Sequence, residues 1–261
     1  MRRWLGCTLV LGLLLGLLVP LEARADEIAC DPLAIDLTLT PQRTQIYASL
    51  KETVQVQAAR PDKADAVLIG DSLLAGWRSD LSSTFPSTAI YDFAVGGDRV
   101  PTVLWRFENT DLSHLRPAVA VLLIGTNDLG AGTPSCAVAA GIEAIVEKLR
   151  TLWPETEVFV LTIPPRGPDF HVIDDRRLAV NKAIVALDSR FDRVHAAPID
   201  DNTFTCGQYA VAPLTTGTEP SRLSCANYAD DNLHFSTEGY GELGRILEEA
   251  TTKSLGRDVF R

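Results

Sequence analysis

The sequence predicts an α/β protein built on a doubly wound parallel sheet of about five strands. Short apolar runs ending in glycine or polar residues alternate with segments of helical period, which implies right-handed strand–helix–strand crossovers. The run Ala-Val-Ala-Val-Leu-Leu-Ile at 118–124 is continuously apolar, as expected of a strand covered on both faces. In such sheets the ligand site lies at the carboxyl ends of the strands.

An amphipathic helix is expected over 41–59, with Ile46, Leu50, Val54 and Val56 among polar residues. Strand candidates follow at 64–69, 88–93, 118–124, 158–163 and 193–197. Between and after them, 136–152 sets Val138, Ile142, Ile145, Val146 and Leu149 on one side, and Trp153-Pro154 ends it. The segment 174–187 is a second helix, with Leu178, Ile184 and Leu187 facing inward. The segment 237–255 closes the chain on a stripe of Tyr240, Leu243, Ile246 and Leu247. Residues 200–230 show no sustained period and are rich in Thr, Gly, Pro and Asn. A loop this long within a domain is usually functional or disordered, and two cysteines in it favour an ordered lid.

The first 25 of the 261 residues have the order of a secretory signal peptide. A basic Met1-Arg2-Arg3 precedes a Leu- and Gly-rich apolar core at 9–19, and Ala23-Arg24-Ala25 supplies a small-x-small site. Pro20 and Glu22 interrupt the core before it reaches the roughly 20 residues of a membrane span. Cys7 precedes the core instead of following it, which argues against lipid attachment. Residues 26–261 are then one domain with no integral membrane anchor, placed outside the cytoplasm in a periplasm or secreted. Removing Arg2, Arg3, Arg24 and Glu22 from 24 basic and 34 acidic residues leaves 21 and 33, a net charge of −12. With no basic patch visible, a nucleic acid is not an expected partner.

Four cysteines remain. Four allow three pairings, and export favours disulfides. Cys206 and Cys225 share one irregular stretch and are expected to pair, which leaves Cys30 with Cys136 by elimination. Their spacing fits no zinc site, and neither metal nor cofactor is expected.

Four polar blocks stand where strands or the last helix would present them. They are Gly70-Asp71-Ser72, Gly96-Gly97-Asp98, Gly125-Thr126-Asn127-Asp128 and Asp231-Asn232-Leu233-His234 at the opening of the last helix. Each has a plain structural explanation as a helix cap or tight turn. Together they supply what acyl transfer to a serine requires. Ser72 is a nucleophile, His234 its base and Asp231 the group that orients the base. The N–H groups of Ser72 and Gly97 and the amide of Asn127 are oxyanion donors.

These four blocks, in this order from about residue 65 to 247, resemble the SGNH (GDSL) hydrolase superfamily. Gly96-Gly97-Asp98 followed by Val103-Leu104-Trp105-Arg106 is especially similar to the catalytic subunits of platelet-activating-factor acetylhydrolase. The resemblance implies a flavodoxin-like three-layer α/β/α sandwich and an esterase or lipase-like acylhydrolase. It carries the triad onto Ser72, Asp231 and His234, and the oxyanion donors onto Ser72, Gly97 and Asn127. Arg99 departs from the threonine often found there, and either contacts an acidic or polar substrate group or pairs with a local carboxylate. The 200–230 insertion has no counterpart in the pattern.

The expected activity is hydrolysis of a short-chain, acetyl-type carboxylic ester through an acyl-serine, on a small-molecule, lipid or carbohydrate substrate. An acyltransferase using the same acyl-enzyme is the first alternative. A non-catalytic carbohydrate-binding module is the second, disfavoured by an intact triad. Ser72 is followed by Leu73-Leu74 and so lacks the second glycine of a G-x-S-x-G elbow, and no G-x-G-x-x-G follows the first strand. His114, His171 and His195 are expected at the surface or in packing, Asp128 in a structural role, and Trp77 and Trp105 in the core. Asp230 lacks the three-residue spacing to His234 that Asp231 has.

Overall fold

A computed structural model describes residues 30–210 and 223–260. The leader at 1–25 and residues 211–222 of the irregular stretch lie outside the described residues. In chain order the elements are α1 (Pro32–Leu39), α2 (Tyr47–Ala58), β1 (Ala66–Gly70) and α3 (Ser72–Ala75). A 3₁₀ turn (Gly76–Ser79) leads to α4 (Leu81–Thr84), β2 (Ile90–Asp92), α5 (Val100–Glu108) and β3 (Val119–Leu123). Then come α6 (Thr126–Gly130), α7 (Ser135–Leu152), β4 (Glu157–Leu161), α8 (Asp174–Leu187), β5 (Val194–Ala197), α9 (Asp201–Phe204) and α10 (Thr237–Leu255).

All five strands are parallel, in the order β2-β1-β3-β4-β5. The order reverses between β1 and β3, which makes the crevice beyond their carboxyl ends the topological switch point. Alternate residues feed two cores. Val67, Ile69, Ala120, Leu122, Val158 and Val160 pack with α2, α5, α7 and α8. Ala66, Leu68, Val119, Val121, Phe159 and Leu161 pack with α3, α4, α9 and α10. The result is the expected three-layer sandwich. β1 and β3 approach so closely at their ends that a Cβ on Gly70 would lie 2.1 Å from the Leu123 carbonyl oxygen. Glycine is required there, one residue before Asp71-Ser72.

Several local expectations change. The helix expected at 41–59 begins only at Tyr47, and α1 precedes it, started by an Asp31 cap and Pro32 at the first turn. Ile46 and Val54 are exposed, and α2 instead buries Ser49, Thr53 and Val56. The inner face of α2 is polar because it packs on a backbone turn that needs hydrogen bonds. In α8 the buried stripe is Arg177, Val180, Ile184 and Leu187, and Leu178 is exposed, about 100° away on the helix. α5 was not anticipated, although Val100, Val103, Leu104 and Phe107 form its buried side. Trp77 is a core residue stacked on Tyr240, whereas Trp105 stays half-buried beneath Arg43.

The disulfides are Cys30–Cys136 and Cys206–Cys225. The first ties the start of α1 to the start of α7. The second ties the end of α9 to the loop that precedes α10. Among the described residues no helix is long and apolar enough to cross a membrane.

Candidate active site

Three strand ends and one loop converge. After β1, Asp71 caps α3 by accepting the Leu73 N–H at 2.9 Å, and Ser72 is the first residue of that helix. The Ser72 Oγ lies 2.9 Å from Nε2 of His234, a residue 162 positions away in sequence. His234 Nδ1 lies 2.6 Å from Asp231 Oδ2, while Asp231 Oδ1 accepts the N–H groups of Leu233 and His234, each at 2.9 Å. With its proton on Nδ1, the imidazole donates to Asp231 and accepts the serine hydroxyl at Nε2. Burial acts to raise the Asp231 pKa, but the His234 ring and the two backbone N–H groups outweigh it and hold the carboxyl at about 2.

Asp231 and His234 do not open α10. They sit in a loop that ends before the Ser236 cap of that helix. The loop is held by its own backbone: the Ala229 N–H donates to the His234 carbonyl at 2.8 Å, and Tyr228 bridges Phe235. Asn232, at φ 51°, accepts the Gly167 N–H at 2.8 Å through its carbonyl and donates its amide to Leu223 at 2.7 Å. The Tyr228 hydroxyl donates to the Pro165 carbonyl at 2.8 Å, so the loop is fixed to the end of β4.

The chain beyond β2 continues its ladder with β1, the Val95 N–H donating to the Gly70 carbonyl at 3.1 Å. This carries Gly96-Gly97 beside the nucleophile: a Cβ on Gly96 would lie 4.0 Å from Ser72 Cβ. Gly97 has φ +77°, which a side chain would strain. The Asn127 amide, one turn beyond β3, donates to the Asp98 carbonyl at 2.9 Å. It is therefore fixed to the same turn with its second N–H to spare. Among the described residues, the N–H groups of Ser72 and Gly97 donate to no protein acceptor. The N–H groups of Ser72 and Gly97 and the free amide N–H of Asn127 are thus three donors of the kind that can receive a developing oxyanion, gathered on α3 and the Gly96-Gly97-Asp98 turn beside it.

The residues that hold this turn escaped the sequence reading. Glu52 accepts the Gly96 N–H at 2.8 Å, and the Ser49 hydroxyl donates to the Gly96 carbonyl at 2.6 Å. Arg78 bridges Glu52 and Asp92 at 2.8 and 2.9 Å. Beneath it, Asp98 pairs with buried Arg106 through two contacts of 2.7 Å. The signal for Ser49 and Glu52 was their three-residue spacing along α2, hidden by the assumption that an inner face is apolar. Arg166 also escaped it, donating to the carbonyl and hydroxyl of Thr126, each at 3.2 Å. It follows β4 as Asn127 follows β3, behind two prolines that obscured the pattern.

Asp128 is structural as expected: both carboxylate oxygens lie 3.2 Å from the Val100 N–H, and burial pushes its pKa to about 6. His114 contacts the Pro61 carbonyl, His171 pairs with Asp174, and His195 pairs with Glu157, all away from Ser72. Arg99 forms no ion pair among the described residues, but its charge acts on the nearby carboxylate of Asp128 and lowers the pKa of that group against burial. The described residues contain no cluster of three or more His, Cys, Asp or Glu able to hold a metal ion.

Asp71 carries a prediction of its own. Burial, reinforced by Asp128 and Asp98, raises its pKa to about 8 against the Leu73 hydrogen bond and Arg166. Between pH 3.8 and 8 the unfolded chain ionises this group while the native one keeps it neutral, so native stability falls as pH rises through that window. Asp71→Asn retains the cap acceptor and removes the dependence. Denaturant unfolding should find the variant more stable than wild type by at least about 1 kcal/mol at pH 8, converging by pH 4. A difference independent of pH would contradict the assignment.

Residues 68–241 match the GDSL-like lipase/acylhydrolase family. Platelet-activating factor acetylhydrolase IB subunit alpha1 of Rattus norvegicus is 33% identical over 209 residues, which are 78% of this chain and 82% of the relative. Among solved structures, a GDSL-like lipase of Bacteroides thetaiotaomicron superposes with a TM-score of 0.56 at 17% identity, over 80% of this chain and all of that one. A family 3 carbohydrate esterase of Clostridium thermocellum does so with a TM-score of 0.52 at 17% identity, over 74% and 98% of the two chains. At that identity the likeness is one of fold.

Proposed function

The chain belongs to the GDSL-like lipase/acylhydrolase family and is a carboxylic ester hydrolase, and from that premise we propose that it is an exported acetylesterase whose nucleophile is Ser72. The observation that carries the mechanism is the continuous relay from Ser72 Oγ through the His234 ring to Asp231. The acetyl preference rests on the likeness to an acetylhydrolase. Export rests on the basic–apolar–small order of residues 1–25 and on two disulfides.

In this mechanism Ser72 Oγ attacks the ester carbonyl carbon while its proton passes to His234 Nε2. The carbonyl oxygen gains the negative charge and is received by the N–H groups of Ser72 and Gly97 and the Asn127 amide. Collapse breaks the bond to the alcohol, which leaves with the proton held on His234. Water then attacks the acyl-serine, gives a proton to the same nitrogen, and the carboxylic acid departs as the proton returns to Ser72. Asp231 remains ionised throughout and stabilises the imidazolium.

A chain-length series of p-nitrophenyl esters tests the proposal on wild type and Ser72→Ala. Acetate should be the best substrate of wild type, and Ser72→Ala should be inactive on all lengths. A maximum at eight carbons or longer would overturn the acetyl assignment, and equal activity in the two proteins would overturn the nucleophile. Asn127→Ala should lower kcat by about 10²–10³-fold, because one of three oxyanion donors is lost. A KM effect with kcat unchanged would place Asn127 in ground-state binding instead.

A further inference from the structure

A groove of about 510 Å³ opens beside the candidate oxyanion donors, with Gly97 in its lining. Its walls are the α1–α2 segment on one side, and the start of α5 and the α6–α7 connection on the other. Ile46 connects the groove to the turn, since a Cβ on Gly97 would lie 3.9 Å from its Cδ1. Leu37 and Ile46, more than half exposed, give it an apolar rim. Two guanidinium groups, Arg43 and Arg99, line it as well.

These arginines differ from the others around the site. Arg78 is committed to Glu52 and Asp92, Arg106 to Asp98, and Arg166 to Thr126. Arg43 and Arg99 form no ion pair among the described residues, and Arg43 lies 5.9 Å from the centre of the Trp105 ring. The carboxylate that lines the groove, Asp128, is buried and has both oxygens against the Val100 N–H. The Arg99 charge acts on that carboxylate without forming an ion pair with it, and Arg43 has no such partner among the described residues. The protein's net charge is −10, so two guanidiniums outside any ion pair beside Gly97 run against the charge of the whole.

The wall that carries Arg43 is held in place. Cys30–Cys136 fixes one end of it, and the Gln42 N–H donates to the Pro101 carbonyl at 3.0 Å. α1 packs on both α5 and α7. A preorganised wall keeps the two guanidiniums facing one groove, which lowers the ordering cost of binding.

From this arrangement we infer that the groove is a subsite for an anionic oxyacid group, a carboxylate or phosphate, on the alcohol portion of the ester, recognised by Arg43 and Arg99. The inference rests on the esterase assignment and adds the substrate class to it. Guanidinium matches the geometry of both oxyacids. Both guanidiniums are exposed, so their attraction for an anion is screened by salt. The groove then adds a selectivity for the alcohol to the acetyl preference, because Ser72 and the oxyanion donors act on the acyl carbonyl.

The test compares 4-acetoxybenzoate with its neutral methyl ester, using wild type, Arg43→Gln, Arg99→Gln and the double variant. Intrinsic reactivity of the two esters cancels when their kcat/KM ratio is compared between proteins. The ratio of anionic to neutral turnover should fall about tenfold in each single variant, and 0.5 M salt should compress it in wild type. A ratio unchanged within twofold in all variants overturns the subsite while the esterase assignment stands on turnover of the neutral ester. Should neither ester turn over, binding to Ser72→Ala decides. Tighter binding of the anion than of the methyl ester, lost with both arginines, supports the subsite, and equal binding overturns it. An acetylated hexuronate and a 2-acetyl glycerophosphodiester separate the two sources. Discrimination confined to the first assigns an acidic saccharide, and to the second a phospholipid-type alcohol.

Discussion

Ser72→Ala and His234→Ala should each lower kcat on p-nitrophenyl acetate by about 10⁶-fold, and combining them should cost little more than either alone. The reason is geometric: the serine hydroxyl is activated only through the 2.9 Å contact to Nε2. A base without a nucleophile contributes as little as a nucleophile without a base. Activity remaining in the double variant measures what the Gly97 and Asn127 donors achieve without chemistry at the serine, about 10³–10⁴ over water. Steady-state and burst kinetics on three proteins with matching unfolding curves check this. Multiplicative losses would mean that the two residues act in separate steps and that the relay is incidental.

Asp231→Asn should lower kcat by about 10⁴-fold while leaving the fold intact. The asparagine amide facing Nδ1 would make that nitrogen an acceptor, place the proton on Nε2 and so block acceptance of the serine proton. The carboxylate titrates too low to shape the activity profile at ordinary pH. Its native pKa of about 2 is depressed from 3.8, so the stability it contributes is present above 3.8 and lost as pH falls through about 2. With Asp231 half exposed, that contribution is small. The expected signature is a large kinetic defect with an unchanged unfolding midpoint at pH 7. A comparable loss of stability would instead make Asp231 chiefly a structural support of its loop.

Much of this was legible in one sequence. The continuous apolar run at β3 and the alternation around it are direct consequences of burying a parallel sheet on both faces, so strand order along the chain and the class of fold follow from hydropathy. Ser72, Gly97, Asn127, Asp231 and His234 were visible because they interrupt or follow such runs in short blocks of fixed spacing. The errors fall where an inward face is polar. Ser49 and Glu52 look like solvent-facing residues of α2 until the Gly96 backbone is seen to need an acceptor and a donor there. Leu178 looks like a core residue until Val180 and Arg177 take the stripe.

Local pattern therefore singled out the candidate site residues and placed each at a strand end or at the opening of the last helix. Only the tertiary structure decided that Ser72 and His234, 162 positions apart, come within hydrogen-bond distance. It also decided that Glu52, Arg78 and Arg166 support the turns around them, and that Arg43 and Arg99 face one groove beside Gly97. Hydropathy acts between each residue and solvent and is written along the chain. Hydrogen bonds and charge pairs act between residues distant in sequence, and they exist only once the sheet has fixed the distances across it.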